Sequence, residues 1–461
     1  MNFRLSEFCH FVDGQIKGLV AVYNALTLGV VMVDHETASL LRSAQDRILP
    51  DSKAQALSGS GVLKQLLQHK LVLPLAAQTD LKDYLKIQQG LECKRIGILY
   101  LMLTDVCNLA CKYCFVENAI PEDHQFSLMS EETAKRGLDL FAKTLKESSG
   151  ITEPQVIFYG GEPLINLRVL KKAIDYITSL KLQGELPDNT SITVNTNGTL
   201  INEEVVHVLK NVENLNVAIS LDGPADIHDA CRPYHGQRGS FHDIMHGYHV
   251  LSESGIKAGL CCTISRYNVG NLQEIAVWFV DQMNAESLGF NIMIESKHSS
   301  DYRGETQVYA QKAAQALIKC FRFFREKGVY EDRIMRKVNA FVEGKIYYRD
   351  CGGCGEQLVI SPDGLVGVCQ GYCGTKKNFV SLESDLNPLE HPLWNEWRRR
   401  SPLAMPQCRG CIALSVCGGG CPYSAEMRLG SIWLLDDVFC VHAQTTVKFL
   451  LEELIEQCAK A

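Results

Sequence analysis

The chain has no apolar run approaching ~18–20 residues, the length that spans a bilayer, so membrane-spanning helices are not expected. It also lacks an excess of basic charge. Lys and Arg number 46 against 53 Asp and Glu, a formal net charge of −7, so nucleic acid is not an indicated partner. The first 30 residues mix charged and apolar side chains without the basic start, apolar core and small-residue cleavage site of a secretory signal. These absences predict a cytoplasmic protein with no membrane and no nucleic acid among its partners. A 46% apolar, 21% charged composition over 461 residues is that of a globular chain of two to four domains. Cysteine, by contrast, is plentiful. Nineteen cysteines in a chain of this length with no secretory signal point to metal and away from disulfides. Ten or eleven fall into two patterned blocks, one near residue 110 and one between Cys351 and Cys440.

The first block is Cys107-x3-Cys111-x2-Cys114, just after the apolar run Ile96–Leu103. Three thiolates on one short loop can hold three irons of a [4Fe–4S] cube, and no fourth cysteine follows close by. The open iron can bind an outside ligand, which makes such a cluster a reaction centre as well as an electron carrier. A zinc site is the alternative, although zinc sites tend to pair cysteines as C-x2-C. Tyr113 stands before the last cysteine, and CxxxCxΦC resembles the signature of the radical S-adenosylmethionine (SAM) enzymes. The resemblance implies that the open iron chelates the amino and carboxylate groups of SAM and that Tyr113 lies near the adenine.

Residues 1–94 read as a small separate domain. Gly18–Asn24 and Gly29–Asp34 look like strands joined by a turn, helices start at His35 and Gly61, and an apolar strand returns near Leu71–Pro74. The pattern resembles a winged-helix peptide-recognition domain. A DNA-binding winged helix shares it, but these helices lack clustered Lys and Arg. A structural cap is the plain alternative.

From Arg95 strands and helices alternate. Strands are predicted at 96–103, 156–159, 191–195, 216–220, 258–264 and 288–294, with helices near 131–146, 167–180, 203–212, 241–254 and 272–283. Six βα units predict an α/β fold, a partial (β/α)6 TIM-like barrel over 95–300, with its chemistry at the C-terminal strand ends. Residues 301–345 read as a helical bridge, 346–445 as a Cys-rich domain, and 446–461 as a C-terminal amphipathic helix.

The strand ends carry small and polar residues. Gly160, Gly161, Glu162 and Pro163 follow the second strand, where two glycines allow close backbone approach to a ligand and a carboxylate can accept from an ammonium. By resemblance this segment receives the amino group of SAM. Asn197 follows the third strand, Ser220 ends the fourth and would reach the ribose, Arg232 would pair with the SAM carboxylate, and Met293 at the sixth would flank the adenine. Ordinary capping of strand ends explains each one singly; their coincidence is what points to a site.

In the second block, Cys354-x9-Gly364-x4-Cys369, Cys408-x2-Cys411-x5-Cys417-x3-Cys421 and Cys440 reproduce the seven-cysteine pattern of the SPASM extension of peptide- and protein-modifying radical SAM enzymes. Paired zinc ribbons are the physical alternative. The resemblance implies that Cys408, Cys411, Cys417 and Cys440 ligate one auxiliary [4Fe–4S] cluster. Cys354, Cys369 and Cys421 would hold the other, with Cys351 or, in competition, Cys373 as its fourth ligand. Gln370 stands where the sulfatase-maturing branch has an acidic base, and Gln cannot take a proton at neutral pH. The chain is thus read as a three-cluster radical SAM enzyme of the SPASM type. Its partners would be a precursor peptide with a leader sequence and an electron donor of the flavodoxin or ferredoxin type. Its expected outcome is a C–C or C–S crosslink, with peptide epimerisation as the alternative. A winged-helix iron–sulfur redox regulator, from a different class, would explain the N-terminal pattern and the clusters but not the strand-end constellation.

Overall fold

The computed structural model of the protein describes residues 3–14, 18–59, 61–76, 79–294 and 304–460. Among them no helix is long and apolar enough to cross a membrane.

The N-terminal region holds two three-stranded antiparallel sheets. The predicted strands appear as Leu19–Asn24 and Val30–Asp34, and the predicted helices as His35–Arg42 and Val62–Gln68. Asp34 starts the first helix by accepting from the Thr37 amide at 2.6 Å, which satisfies one orphan donor. Sequence reading missed the strands Phe3–Leu5 and Cys9–Asp13 and the helices Asp51–Gly59 and Thr79–Gln88. Sequence reading took the region as a small separate domain; in the structure it shares a core with the C-terminal region. Leu19–Asn24 is buried on both faces. Val20 and Val22 join a local core with Leu41 and Leu66, whereas Ala21 and Tyr23 join a second core with Leu414, Val447 and Leu451 of the C-terminal region.

The six barrel strands are Ile98–Met102, Gln155–Tyr159, Ser191–Thr196, Leu215–Ser220, Ala258–Ile264 and Ser287–Ile292, all parallel and adjacent in chain order. The helices Glu131–Glu147, Leu167–Leu182, Glu203–Leu209, Phe241–Glu253 and Leu272–Asp281 lie between them, with a further short one at Ala225–Cys231. Alternation decides which side chains face where. Leu99, Leu101, Val194, Ile219, Cys262 and Ile264 are buried in the main apolar core that takes in the helices. Their neighbours Tyr100, Asn195, Ser220, Cys261 and Thr263 are half-buried on the inner face.

The barrel does not close. Tyr330–Glu331 pairs with the sixth strand, and Gln357–Ile360 adds in parallel to the first, continued antiparallel by Leu365–Gly367 and Phe379–Ser381. The Cys-rich region therefore extends the barrel sheet, where sequence reading saw only the end of regular alternation. The bridge consists of the helices Thr306–Lys327, ended by Gly328 at φ 73°, and Asp332–Val342. The last helix spans Asp437–Lys460, about two turns longer than predicted, and carries Cys440 in its first turn.

Candidate active site and cysteine groups

The loop with Cys107, Cys111 and Cys114 leaves the C-terminal end of the first barrel strand and is held on two sides. On one side Gly161 N donates to Thr104 O at 2.8 Å and Glu162 N to Val106 O at 2.9 Å. A Cβ on Gly160 would lie 2.3 Å from Thr104 O, and one on Gly161 2.1 Å from Val106 O. The two glycines are thus needed for close approach, as expected, but what approaches is the cysteine loop itself. On the other side Ala110 N donates to Pro233 O at 2.8 Å and Lys112 N to Cys231 O at 3.1 Å.

Glu162 is completely buried and accepts from Thr196 Oγ1 at 2.7 Å, Asn197 N at 2.8 Å and Leu164 N at 3.0 Å. Burial raises its carboxyl to about 7, against the pull of these three donors. Pro163 opens the short helical turn that follows. The Asn197 amide donates to Asn108 Oδ1 at 2.8 Å and stands 4.0 Å from Cys107 Sγ, which ties the third strand end to the loop.

Arg232 lies across from it. Its Nε donates to Asp222 Oδ2 at 3.0 Å, its Nη1 stands 3.9 Å from Cys111 Sγ, and its Nη2 is 3.5 Å from Thr263 Oγ1. The guanidinium carbon sits 5.2 Å from the centre of the Tyr113 ring, and Tyr113 also donates its hydroxyl to Asp222. Burial lifts the Tyr113 hydroxyl well above its ordinary pKa. Asp222 is therefore the anchor of this side: fully buried, it holds Tyr113 and Arg232 and also accepts from Thr263 N at 2.9 Å. Sequence analysis assigned Asp222 no role. The available signal was its place, ten residues before a predicted ligand-binding arginine. Ser220 is on the inner face, its Cα opposite that of Cys261. Met293 differs from the others: it is 8% exposed and belongs to the main apolar core, its amide bonded to Ile264 O.

The patterned cysteines sort into three groups by mutual electrostatic influence. Burial raises Cys107 to about 12 and raises Cys111 and Cys114, and neighbouring thiols of the group push Cys107 and Cys111 further up. Cys351, Cys354, Cys369 and Cys421 form a second group. Burial is the main cause in each, and Cys351 adds to the rise at the other three. Cys408, Cys411, Cys417 and Cys440 form the third, where Cys408, raised to about 12 by burial, feels Cys417 and Cys411, and Cys440 feels all three. Cys373 is apart, packed with Met102 and Val359 and facing no other cysteine. Several sulfurs receive backbone donors, as thiolates in iron–sulfur sites do: Gly353 N to Cys351, Ala413 N to Cys411 and Ser424 N to Cys421, each at 3.4 Å. Among the described residues no three His, Cys, Asp or Glu side chains converge on a single metal ion. A cube takes one thiolate per iron, so its ligands stand wider apart than those of one ion. Buried thiols that hold each other's pKa up fit a group whose metal removes their protons. Of the unpatterned cysteines, Cys9, Cys231, Cys262 and Cys320 are buried, as small hydrophobes are.

A parallel partial barrel with three thiols on the loop after its first strand defines an enzyme whose chemistry sits at the barrel mouth. Residues 101–277 match the model of the radical SAM superfamily, so the chain carries a radical SAM domain, of a class that works with a [4Fe–4S] cluster and SAM. It is 25% identical over 382 residues to the radical SAM cyclopropyl synthase TigE of Paramaledivibacter caminithermalis, covering 79% of this chain and 75% of the relative. Among solved structures it resembles native anSMEcpe with bound AdoMet, at TM-score 0.64 and 18% identity over 78% of this chain and 98% of that one. It also resembles Streptococcus suis SuiB bound to precursor peptide SuiA, at TM-score 0.51 and 15% identity over 95% and 99%. The two structural likenesses speak to the fold.

Proposed function

We propose that this chain is a three-cluster radical SAM maturase that forms a C–C or C–S crosslink in a ribosomally made precursor peptide. The observation that carries the reading is the sorting of eleven cysteines into three groups, one at the barrel mouth and two in the C-terminal region. The cyclopropyl synthase relative supports ring-forming chemistry, and the likeness to a chain captured with its precursor peptide supports a peptide substrate. Residues 1–94 would hold the leader, residues 346–445 would be the SPASM domain, and a flavodoxin- or ferredoxin-type donor would supply electrons.

Cys107, Cys111 and Cys114 would hold the cluster, which would supply the electron for reductive cleavage of SAM and so the radical chemistry at a peptide C–H. The chain's own residues hold SAM. Asp222 fixes Arg232 beside Cys111, where its guanidinium would meet the SAM carboxylate. Glu162 has three of about four acceptor sites filled, which leaves one for the SAM ammonium. Tyr113 flanks the adenine and Ser220 the ribose. Cys351, not Cys373, completes the first auxiliary group.

The test is to incubate reduced enzyme and SAM with the leader-core peptide encoded beside this chain and to measure the product's mass. Each crosslink removes two hydrogens, so the product is expected about 2 Da lighter per link. An unchanged mass would sink crosslinking. One observation favours epimerisation as a second reading: Cys261 presents a half-buried thiol on the inner barrel face and belongs to no cysteine group. In heavy water that reaction would add about one dalton, from a solvent-exchanged thiol hydrogen.

A further inference from the structure

The two C-terminal cysteine groups are joined directly by the chain at Cys417-Gly418-Gly419-Gly420-Cys421. The three glycines have φ of 72°, 95° and 68°, a left-handed run that other residues resist. Arg400 closes over this link. Its Nη1 donates to Gly419 O at 2.5 Å and, at 3.5 Å, to Gly420 O; its Nη2 donates to Leu434 O at 3.3 Å, and its Nε donates to Ile432 O. The side chain is completely buried. Backbone carbonyls satisfy its hydrogens but not its charge, and a buried guanidinium without a counter-charge is strongly disfavoured. Among the described residues no carboxylate pairs with it. Asp436, the buried carboxylate of this neighbourhood, accepts from the Cys421 amide at 3.2 Å and lies 3.9 Å from Arg428; it also feels the charge of Arg400, without a salt bridge between them. The link that Arg400 clamps runs directly from Cys417 of one group to Cys421 of the other, so its charge lies beside both.

We infer that Arg400 is the shared counter-ion of the two auxiliary clusters: one guanidinium, clamped on the glycine link between Cys417 and Cys421, raises the reduction potential of both. The inference rests on the reading that these eight cysteines hold two [4Fe–4S] clusters. A cube with four thiolates is anionic and gains a further negative charge on reduction, so a fixed cation beside it favours the reduced form. A cation between two cubes acts on both. Crosslinking leaves one electron to be accepted for each link, and clusters of similar, raised potential accept it and pass it on.

The experiment is an EPR-monitored redox titration of the auxiliary clusters in protein whose Cys107, Cys111 and Cys114 are replaced by Ala, comparing Arg400 with Arg400→Met, Arg400→Gln and Arg400→Lys. Both midpoints are expected to move to lower potential in the neutral variants and to stay near the parent in Arg400→Lys, which keeps the charge but not the carbonyl contacts. Iron lost from both neutral variants and kept in Arg400→Lys carries the same conclusion. Unchanged midpoints in a fully loaded neutral variant, a shift at one cluster alone, or iron lost from all three variants would overturn it and leave Arg400 a structural clamp. A parent protein without auxiliary iron would overturn the cluster reading itself, and this inference with it.

Discussion

Glu162 links three loops through one carboxylate, and its environment predicts how SAM binding responds to pH. Burial places its pKa at about 7, above the ordinary 4.5. Folded and unfolded chains both hold the proton below 4.5. As pH rises towards 7 the unfolded chain loses it first, so folding loses up to about 3 kcal/mol across that window. An ammonium beside the carboxylate favours the ionised form, so SAM should bind more tightly as pH rises from about 6 to about 8, with proton release near the lower end. Calorimetry in two buffers of different ionisation enthalpy measures that proton. In Glu162→Gln the pH dependence should vanish and affinity fall by about tenfold or more, because the amide must point a donor at the Thr196 hydroxyl or the Asn197 amide. An equally steep pH profile in the variant would place the titrating group elsewhere. Asp222 gives a second test. Asp222→Ala leaves Arg232 buried without its carboxylate, a loss of about 3–5 kcal/mol for a broken buried pair. SAM cleavage should fall by about two orders of magnitude or more while auxiliary iron stays. Sequence made the cysteines legible because spacing carries their chemistry. Asp222 was not, since an aspartate after a strand reads equally well as a turn cap.

At the scale of elements, all six barrel strands were readable to within about two residues at each end, because a buried parallel strand is a continuous apolar run bounded by polar turns. The first and the last, Ile98–Met102 and Ser287–Ile292, end earlier than read. The pairing of Gln357–Ile360 with Ile98–Met102 was not legible: register between segments some 260 residues apart leaves no local pattern. The start of the last helix at Asp437 was hidden for a related reason, since Cys440 reads as the end of a cysteine array while its backbone already belongs to a helix. The turn at Gly160–Pro163 and the cysteine loop act as one unit, which gives a sharp test. In Gly161→Ala a Cβ would meet Val106 O at 2.1 Å, and backbone on both sides leaves little room to yield. Moving the loop displaces Cys107, so the variant should lose the barrel-mouth cluster and SAM cleavage. It should keep the roughly eight auxiliary irons, counted by iron analysis and EPR. Normal SAM cleavage by Gly161→Ala would show that the loop is not held in this way.

At the scale of the whole molecule, the N-terminal region is part of the core that carries the second auxiliary group. Ser415, two residues before Cys417, donates through its amide to Ala25 O at 3.2 Å and through its hydroxyl to Leu26 O at 2.8 Å. Tyr84 donates its hydroxyl to Leu403 O at 2.5 Å, and Arg349 Nη2 donates to Leu91 O at 2.9 Å. Phe8, Tyr23 and Leu26 pack in one core with Leu414, Val416 and Val447, against which Cys408, Cys411 and Cys417 lie. Deleting residues 1–94 would uncover that core, and large apolar side chains returned to water cost about 1.5–3 kcal/mol each. The loss falls beside Cys408, Cys411, Cys417 and Cys440, while the barrel keeps its own apolar core. Anaerobically prepared full-length enzyme is expected to hold about twelve irons, as three cubes require, and the truncated protein about eight or fewer. SAM cleavage without peptide should survive the truncation, because the loop at Cys107–Cys114 is held by barrel residues, and Phe115 just after it packs on Tyr423 of the Cys-rich region. Crosslinking should be lost even where peptide still binds. Twelve irons in the truncated protein would separate the N-terminal region from the auxiliary sites and return it to the role of a detachable recognition domain.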